Sequence, residues 1–542
     1  MDAVEIVLAM FLAVIASGLV VRVLPIPLPL PLVQIALGAL TAGVFEQGVQ
    51  LEPHLFFLLF LPPLLFLDGW RIPKEGLLRD KFTILELAFG LVVFTVVGLG
   101  WVIHWMIPAM PLAVAFALAA IVSPTDPVAV SAITSRVPIP RRMMHVLEGE
   151  SLLNDASGLV AFRFAVSAAV TGSFSIASAT LSFLWVAAAG MAVGALFTWL
   201  VTKAKTVFSL RFGEEPGSQI LLSLLIPFGA YQIAEHLHAS GILAAVAAGI
   251  TMSYAELSGR ALAITRLQRA AVWNMVQFTL NGLMFVLLGE QLPGILQRAS
   301  ASVVETGHAS AWWLLWYALA LNFALAALRL LWTLVSLRLR SLWRRRRGEQ
   351  AVRPPWPLVL AMSLSGVRGA ITLAGVLTLP LLLPDGRAVP FRDLAIFLAM
   401  SVIVMSLLVA SFGLPRLLVG LRIPPDPRAH RLEEMARRRA AKAALAAIER
   451  ERQQHPGELD AGVEAAAATR VIALYQGRLD GGDTDIDAER LRAADQAERR
   501  LRLAALRAER AELFALAREG RLADDVARRL VREIDYVESR YQ

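Results

Sequence analysis

Two aspartates within apolar stretches place the strongest constraint on what this chain can fold into. Asp126 lies in the segment Ser-Pro-Thr-Asp-Pro at 123–127, and Asp155 ends the segment Glu-Ser-Leu-Leu-Asn-Asp at 150–155. A carboxylate at the centre of a bilayer costs roughly 3 kcal/mol or more unless it is paired or hydrated. Two such groups in neighbouring apolar stretches therefore indicate a pathway for ions or protons. Pro127 predicts a break in its helix, and broken helices at membrane depth line polar cavities.

The rest of the sequence up to residue 419 is typical of an all-α polytopic membrane protein. Hydrophobic residues make up 57% of the 542 residues, and apolar runs of about 20 residues recur along this part of the chain. The first run begins with acidic residues instead of a basic segment, so we expect it to stay in the membrane and not to be cleaved as a signal peptide. The apolar runs predict about thirteen transmembrane helices, near 3–24, 28–48, 54–70, 83–107, 110–133, 146–171, 178–202, 218–236, 239–254, 271–291, 310–336, 357–382 and 392–419.

The distribution of basic residues predicts the orientation of these helices. One set of alternate loops is rich in Lys and Arg, for example at Arg71, Lys74 and Arg79, whereas the opposite loops hold only Arg298, Arg387 and Arg392. Because basic loops stay on the cytoplasmic side, we expect the N-terminus outside the cell (inner) membrane and the C-terminus inside. The basic residues behind the net charge of +8 lie in these loops and in the C-terminal part, so the charge does not indicate a nucleic-acid partner.

The composition divides the chain into three parts. Residues 1–420 form the predicted transmembrane domain, 421–427 a proline-rich linker, and 428–542 a cytosolic domain of three or four amphipathic helices. The cytosolic domain packs on itself or on a partner subunit, or it acts as a sensor; no motif in it identifies a ligand. Without cysteines, the chain has no thiolate nucleophile and no cysteine-bound metal. The sequence also contains no recognisable nucleophile–base pair, phosphate loop or cluster of metal ligands, so we expect no cofactor and no enzymatic activity.

Internal similarity predicts an inverted repeat. The third span ends Leu-Phe-Leu-Asp-Gly at 65–69, and the tenth ends with Leu-Leu-Gly-Glu-Gln at 287–291. An offset of seven spans would make equivalent helices run in opposite directions. At the same offset, the broken fifth span matches the twelfth, which is interrupted by Ser-Leu-Ser-Gly-Val-Arg-Gly at 363–369. The sequence therefore predicts two unwound helices that cross.

Positions within the spans give approximate depths. At about 1.5 Å per residue, Asp126, Asp155 and Arg368 all fall near the membrane midplane. Glu150 lies roughly 7 Å closer to the cytoplasm than Asp155 and faces about 140° away from it. The two acids of that helix are therefore not expected to share one ligand.

Three motifs in order, at 123–127, 149–155 and 366–369, resemble those of the monovalent cation/proton antiporter family of the NhaP and sodium/proton exchanger type. The resemblance covers residues 1–420 and does not extend to the C-terminal part. It implies that Asp155 binds either a cation or a proton, and that Asn154, in place of a second aspartate, makes the exchange electroneutral. It also implies that Thr125 and Asp126 line the site and that Glu150 and Arg368 form a buried structural ion pair.

Other polar residues in the spans admit more than one role. Asp126 could cap the opposed helix ends, and Ser157 could add an oxygen ligand or stabilise a helix contact. Asp68 could serve a cytoplasmic funnel or lie at a helix end beside Arg71. For the remaining charges we expect Arg163 to pair with Glu290 or to extend to the outer interface, and Arg329 to extend toward the inner one.

The predicted function is secondary active antiport, in which a proton and a monovalent cation compete for Asp155 by alternating access. Sodium is the first choice of cation, with lithium and potassium open, so a K⁺/H⁺ antiporter is one alternative. A gated cation channel and an organic-anion symporter are the others. The resemblance further implies a homodimer, with spans 4–6 and 11–13 as the moving core.

Overall fold

The computed structural model places the chain in two compact units, Met1–Leu421 and Arg422–Gln542. The predicted linker, apart from Pro427, lies outside the described residues. The structure describes residues 3–23, 28–44, 53–127, 130–131, 139–171, 176–256, 262–305, 310, 312–346, 354–379, 389–419, 427–454, 467–473, 475–476, 485–519, 521–522 and 524–538.

The first unit is built of helices, and no strand occurs in its described residues. Helical residues lie within each of the thirteen predicted ranges. Seven of the described helices are long and apolar enough to cross a membrane. The helices are α1 Ala3–Val23, α2 Leu30–Val44, α3 Pro53–Arg71, α4 Lys74–Arg79, α5 Lys81–Leu85 with a π-helical turn Glu86–Leu91, α6 Val92–Met106, α7 Leu112–Val122, α8 Arg141–Thr171, α9 Ile176–Phe212, α10 Pro216–His236, α11 Gly241–Glu256, α12 Ala263–Glu305, α13 Trp312–Arg346, α14 Trp356–Leu364, α15 Ala370–Leu377 and α16 Arg392–Leu418.

Two helices are interrupted where the sequence predicts. Helix α7 ends at Val122, and residues 123–126 are not helical. Helices α14 and α15 are likewise separated by residues 365–369. The two breaks touch, because the backbone N–H of Asp126 donates a hydrogen bond of 2.7 Å to the carbonyl of Val367. This hydrogen bond satisfies a backbone donor at the first break and a backbone acceptor at the second.

The buried apolar side chains form separate clusters that divide the first unit into two bundles. The largest cluster draws mainly on α6, α7, α13, α14, α15 and α16 with part of α8, which we call the core bundle. Two further clusters draw mainly on α1, α3, α10, α11 and α12, which we call the scaffold bundle together with α2 and α9. Helix α12 also contributes side chains to the largest cluster, so it lies along the interface between the bundles.

Glycines allow two helix crossings in the scaffold bundle to be unusually close. At the crossings of α2 with α12 and of α3 with α11, a Cβ added at the glycine of either helix would collide with a backbone carbonyl of the other. The two crossings have the same reciprocal pattern, in which each glycine faces the carbonyl three residues before its partner glycine. The contacts are Gly38 on Val286, Gly289 on Ile35, Gly69 on Val246 and Gly249 on Phe66.

The outer surface of the first unit is strongly apolar. Large hydrophobic side chains are exposed along α1 and α9, and exposed tryptophans stand at helix ends that we predict to lie on the outer side, among them Trp105 and Trp312. Tryptophan at this position is typical of a membrane–water interface. The surface is therefore suited to lipid and not to water.

The second unit contains α17 Pro427–Gln454, α18 Asp485–Arg518 and α19 Asp524–Glu538. Helices α18 and α19 pack against each other. Their contact includes an ion pair of Arg510 with Asp535 at 3.1 Å and a second with Glu538. Most of the described residues of this unit are helical.

A buried carboxylate links the start of α5 to the start of α8. Asp80 accepts two hydrogen bonds from Arg142, at 2.6 and 3.1 Å, and lies 3.4 Å from Arg79. Burial alone would raise the pKa of Asp80, but the hydrogen bonds and charges of the two arginines outweigh it and hold the pKa below its usual value. The stabilisation is therefore present at neutral pH and is lost as the pH falls through this lowered pKa.

This geometry predicts that replacement of Arg142 destabilises the protein more than replacement of Asp80. Arg142→Gln leaves Asp80 buried without its main partner, whereas Asp80→Asn leaves an arginine that is 65% exposed and can be hydrated. We expect the first variant to lower the melting temperature in detergent more than the second at pH 7. The effect of Asp80→Asn should shrink toward about pH 3. Equal effects of the two variants at pH 7 would contradict this account of Asp80.

Candidate functional site

The crossing of the two broken helices is held by opposite charges at opposite helix ends. The Nε of Arg368 donates a hydrogen bond of 2.9 Å to the carbonyl of Val122, the last residue of α7, and its Nη1 donates to Gly366. Asp126 lies against Gly369, the residue that precedes α15, since a Cβ at Gly369 would collide with the Asp126 carboxylate. Each charge thus faces the helix end of opposite polarity. The capping role considered for Asp126 fits this position.

Glu150 pairs with Arg329, and the predicted pair of Glu150 with Arg368 is wrong. Arg329 donates from Nη1 and Nη2 to the two carboxylate oxygens at 2.6 and 2.9 Å. Both side chains are almost fully buried, with 4% of Arg329 and 1% of Glu150 exposed. The expectation that Arg329 extends toward the membrane interface is also wrong. Arg368 is engaged with helix-end carbonyls, so Arg329 from α13 supplies the charge that neutralises Glu150.

A chain of hydrogen bonds runs from this ion pair to the break after α7. The hydroxyl of Thr125 donates to Glu150 Oε1 at 3.3 Å, and the amide nitrogen of Asn154 donates to Thr125 Oγ1 at 3.0 Å. All three side chains are buried. Arg329 also donates from Nε to the carbonyl of Met362 near the end of α14, at 3.3 Å. One network therefore fixes α7, α8, α13 and α14 around the crossing.

A small chamber lies beside the crossing, between the two bundles. Its volume is about 40 Å³, which is enough for one or two waters or a partly dehydrated ion. Three aspartates and several neutral oxygens line it, and none of its lining residues carries a positive charge. The polar lining residues are Asp68, Thr125, Asp126, Ser151, Asp155, Gln277, Asn281 and Thr372.

A larger cavity of about 470 Å³ shares much of this lining and extends from Asp68 and Asp126 toward the ends of α2, α3 and α8. It adds the carboxylate of Glu148 and the exposed guanidinium of Arg71. Its position supports the funnel role of Asp68 over the alternative of a helix end beside Arg71. The side that it faces is the one with the basic loops.

Two predicted site residues do not line either cavity. Asn154 is turned toward Thr125, as described above, and Ser157 donates its hydroxyl to the carbonyl of Leu153 in its own helix at 2.9 Å. Ser157 follows Asp155 by two residues, which places it about 200° around the helix. The side-chain oxygen of Asn154 is nevertheless buried without a hydrogen-bond partner among the described residues.

The predicted pair of Arg163 with Glu290 is also wrong. Arg163 lies 3.5 Å from Glu235 of α10, and its side chain is more than half exposed. Glu290 is buried near the end of its span. A second ion pair, of Arg298 with Asp393 at 3.4 Å, joins α12 to α16. Both pairs connect the scaffold bundle to the core bundle.

Four polar lining residues had no role in the sequence analysis. Ser151 precedes Asp155 by four residues, so helical periodicity could have placed both on one face. Gln277 and Asn281 are likewise four residues apart in an otherwise apolar stretch of α12. Thr372 stands three residues after Gly369, on the first turn of α15. No local signal distinguishes Thr372 from a hydroxyl at a helix contact.

The arrangement favours a hard cation held by mixed oxygen ligands. Among the described residues, no three acidic or histidine side chains are close enough to hold one metal ion together. A cation in the chamber would therefore be held by a carboxylate together with the neutral oxygens of hydroxyl and amide groups. Oxygen ligands of this kind suit hard cations.

The buried pair predicts the order of stability of two arginine variants. Arg329→Met leaves Glu150 buried without its charge partner, which costs about 3–5 kcal/mol. Arg368→Met removes hydrogen bonds to two carbonyls, which costs about 1–3 kcal/mol. Thermal denaturation of the detergent-purified variants should rank them in this order, and Arg329→Met combined with Glu150→Gln should recover part of the loss. The reverse order would mean that Arg368 neutralises Glu150.

Comparisons with known proteins find a matching family model and related sequences. The family model for the sodium/hydrogen exchanger transmembrane domain matches residues 7–420. The chain is 41% identical over 543 residues to the Na(+)/H(+) exchanger YjcE of Escherichia coli (strain K12), with 98% of both chains covered. It is 38% identical over 550 residues to a sodium, potassium, lithium and rubidium/H(+) antiporter of Bacillus subtilis (strain 168), covering all of this chain and 78% of the relative.

A solved structure shares the fold. The sodium proton antiporter MjNhaP1 of Methanocaldococcus jannaschii superposes with a TM-score of 0.58 at 17% identity. The superposition covers 78% of this chain and 99% of MjNhaP1. At this level of identity the likeness concerns the fold alone, which is that of an all-helical, multi-span membrane protein.

Proposed function

The chain belongs to the sodium/hydrogen exchanger family and is a monovalent cation/proton antiporter, and from this premise we propose that the chamber at Asp155 is where cation and proton compete. Membership of this family makes the protein a multi-pass membrane transporter and not an enzyme. The single observation that carries the proposal is the set of three aspartates lining a chamber without a basic residue. Such a chamber attracts cations and requires protons or cations to offset its charge.

Asp155 is the exchanging group because its surroundings leave its carboxylate free for a ligand. It is 4% exposed and lines the smaller chamber, whereas Asp126 is held against the start of α15 and Asp68 belongs to the opposite bundle. A carboxylate this deeply buried needs either a proton or a cation. Since one group cannot hold both, loading of one ligand displaces the other, and the two fluxes are coupled.

The position of the cavities supports alternating access. The larger cavity extends to the side that we predict to be cytoplasmic, so the chamber faces inward in this conformation. On the opposite side the bundles are joined by Arg163 with Glu235 and by Arg298 with Asp393. Movement of the core bundle against the scaffold bundle would break these ion pairs and close the inner cavity.

The inverted repeat fits the packing of the scaffold bundle. Under the predicted offset of seven spans, the crossing of α2 with α12 is equivalent to the crossing of α11 with α3, and both have the same reciprocal glycine contacts. The two broken helices form the other equivalent pair. We propose thirteen membrane spans on this basis, although only seven of the described helices are long and apolar enough on their own.

The stoichiometry and the cation are proposed from the family resemblance and the relatives. Asn154 stands where electrogenic members of the family have a second aspartate, so we propose electroneutral exchange of one cation for one proton. Sodium is the first choice, and both relatives named above carry sodium in their names. Potassium, lithium and rubidium are named as well for the Bacillus subtilis relative. Potassium/proton exchange is therefore the second candidate.

The surroundings of the transporter domain are proposed from charge and exposure. From the basic loops we propose that the chain spans the cell (inner) membrane with its N-terminus outside and its second unit in the cytoplasm. The exposed apolar faces of α1 and α9 fit lipid or a second copy of the chain, and we propose a homodimer. We propose that the helical second unit is a cytosolic domain. It packs on itself or on a partner subunit, or it acts as a sensor.

Exchange in proteoliposomes tests the proposal. A pH-sensitive dye reports proton movement after sodium, lithium or potassium is added, and Asp155→Asn should abolish the response to all three because it removes the exchanging carboxylate. Ser157→Ala is the matched control on the same helix, since Ser157 bonds its own backbone outside the chamber. It should retain transport within about twofold, because only a local back-bond is lost.

Two results would overturn the proposal. Full proton movement in Asp155→Asn would show that this carboxylate is not the exchanging group. Cation flux in the native protein without counter-movement of protons would instead favour a gated channel.

A further inference from the structure

Three side-chain amides lie on one face of α12, where the scaffold bundle meets the cavities. Asn274, Gln277 and Asn281 are separated by three and four residues, so they follow one another along the helix. All three line the larger cavity, but only Gln277 and Asn281 reach the smaller chamber that holds Asp155. The face therefore leads from the cavity to the chamber.

Arg71 donates hydrogen bonds to two of the three amides. Its Nη1 donates to Gln277 Oε1 at 2.6 Å, and its Nη2 donates to Asn274 Oδ1 at 2.5 Å. An amide coordinates a cation through its oxygen, while its nitrogen is a donor only. With both oxygens turned toward a guanidinium, Asn274 and Gln277 are not available as ligands. A single arginine thus removes two potential cation ligands from the approach to the chamber.

Asn281 is the third amide, and its oxygen is available to bind a cation. It lines the chamber, and no hydrogen bond or ion pair engages it among the described residues. We propose that the amide oxygen of Asn281 is a scaffold-side ligand of the transported cation and a determinant of cation selectivity. The proposal rests on the proposed function of the chamber and adds a neutral ligand from the bundle opposite to Asp155.

The chemistry of the site explains why such a ligand discriminates between cations. A chamber of about 40 Å³ leaves little room for hydration water, so protein oxygens must replace much of it. A smaller cation approaches an oxygen more closely and gains more Coulomb energy from it. Loss of the Asn281 oxygen therefore costs sodium more than rubidium. A neutral oxygen also leaves the charge balance between Asp155 and the cation unchanged.

The placement of Asn281 in the scaffold bundle adds a second consequence. Asp155 belongs to α8 of the core bundle, so a cation between the two side chains contacts both bundles at once. If the bundles move against each other, this contact exists only while the chamber faces inward. Asn281 would then strengthen binding of the cation from the side of the larger cavity.

Selectivity measurements on two different substitutions test the proposal. Asn281→Leu removes the oxygen with the same number of side-chain heavy atoms but a bulkier side chain that narrows the chamber, whereas Asn281→Ala removes the oxygen and enlarges the chamber. In proteoliposomes, each variant should raise the half-saturating concentration of sodium by about tenfold, the effect of losing one good contact to a charged group, and that of rubidium by less, so the ratio of sodium to rubidium rises. Asn274→Leu is the matched control, because Asn274 lies on the same helix face outside the chamber, and it should leave this ratio unchanged.

The possible outcomes distinguish the loss of a cation ligand from a change in chamber volume and from general damage to the protein. A shift of the ratio in Asn281→Ala but not in Asn281→Leu would assign selectivity to chamber size and overturn the proposal, as would equal shifts for sodium and rubidium in both. Asn281→Ser, which draws the oxygen back from the chamber, should give a ratio between those of the native protein and Asn281→Leu. A native ratio in Asn281→Ser would also contradict the proposal. Failure of the native protein to couple cations to protons would instead concern the proposed function itself.

Discussion

The ion pair of Arg329 with Glu150 is the interaction on which the rest of the site depends. Two almost fully buried charges are tolerated because both carboxylate oxygens are bonded to the guanidinium and its Nε donates to a backbone carbonyl. From this pair the hydrogen bonds continue through Thr125 to Asn154 and fix the break after α7. The crossing of the broken helices can therefore persist at membrane depth, and the chamber beside Asp155 keeps its shape.

Charge at the crossing and charge in the chamber are kept apart. Arg368 and Asp126 are turned toward helix ends of opposite polarity, while Asp155 faces a chamber without a basic residue. Compensation by helix dipoles allows the crossing to hold charges without a counter-ion from solution. Asp155 lacks such compensation, so its charge must be balanced by a proton or a cation. The same fold thus contains structural charges that stay fixed and one charge that is exchanged.

The sequence predicts elements and depths better than contacts. The breaks at 123–127 and 363–369 and the acidic character of the site follow from prolines, glycines and buried charges. Depth along a span, however, does not determine how each helix is rotated about its axis, so the predicted surroundings of Arg368 and Arg329 are wrong. Depth alone pairs Arg163 with Glu290, whereas its observed partner Glu235 lies on a different helix. The amides of α12 required the packing of the two bundles to be known.

Counting the protons released when a cation binds is the most direct test of competition at Asp155. Purified protein in weakly buffered detergent solution, at a pH where the site is protonated, is titrated with sodium chloride while the pH is recorded. A matched titration with choline chloride corrects for ionic strength. The account predicts release of one proton for each sodium ion bound, and no release from Asp155→Asn. Sodium binding without proton release in the native protein would contradict it.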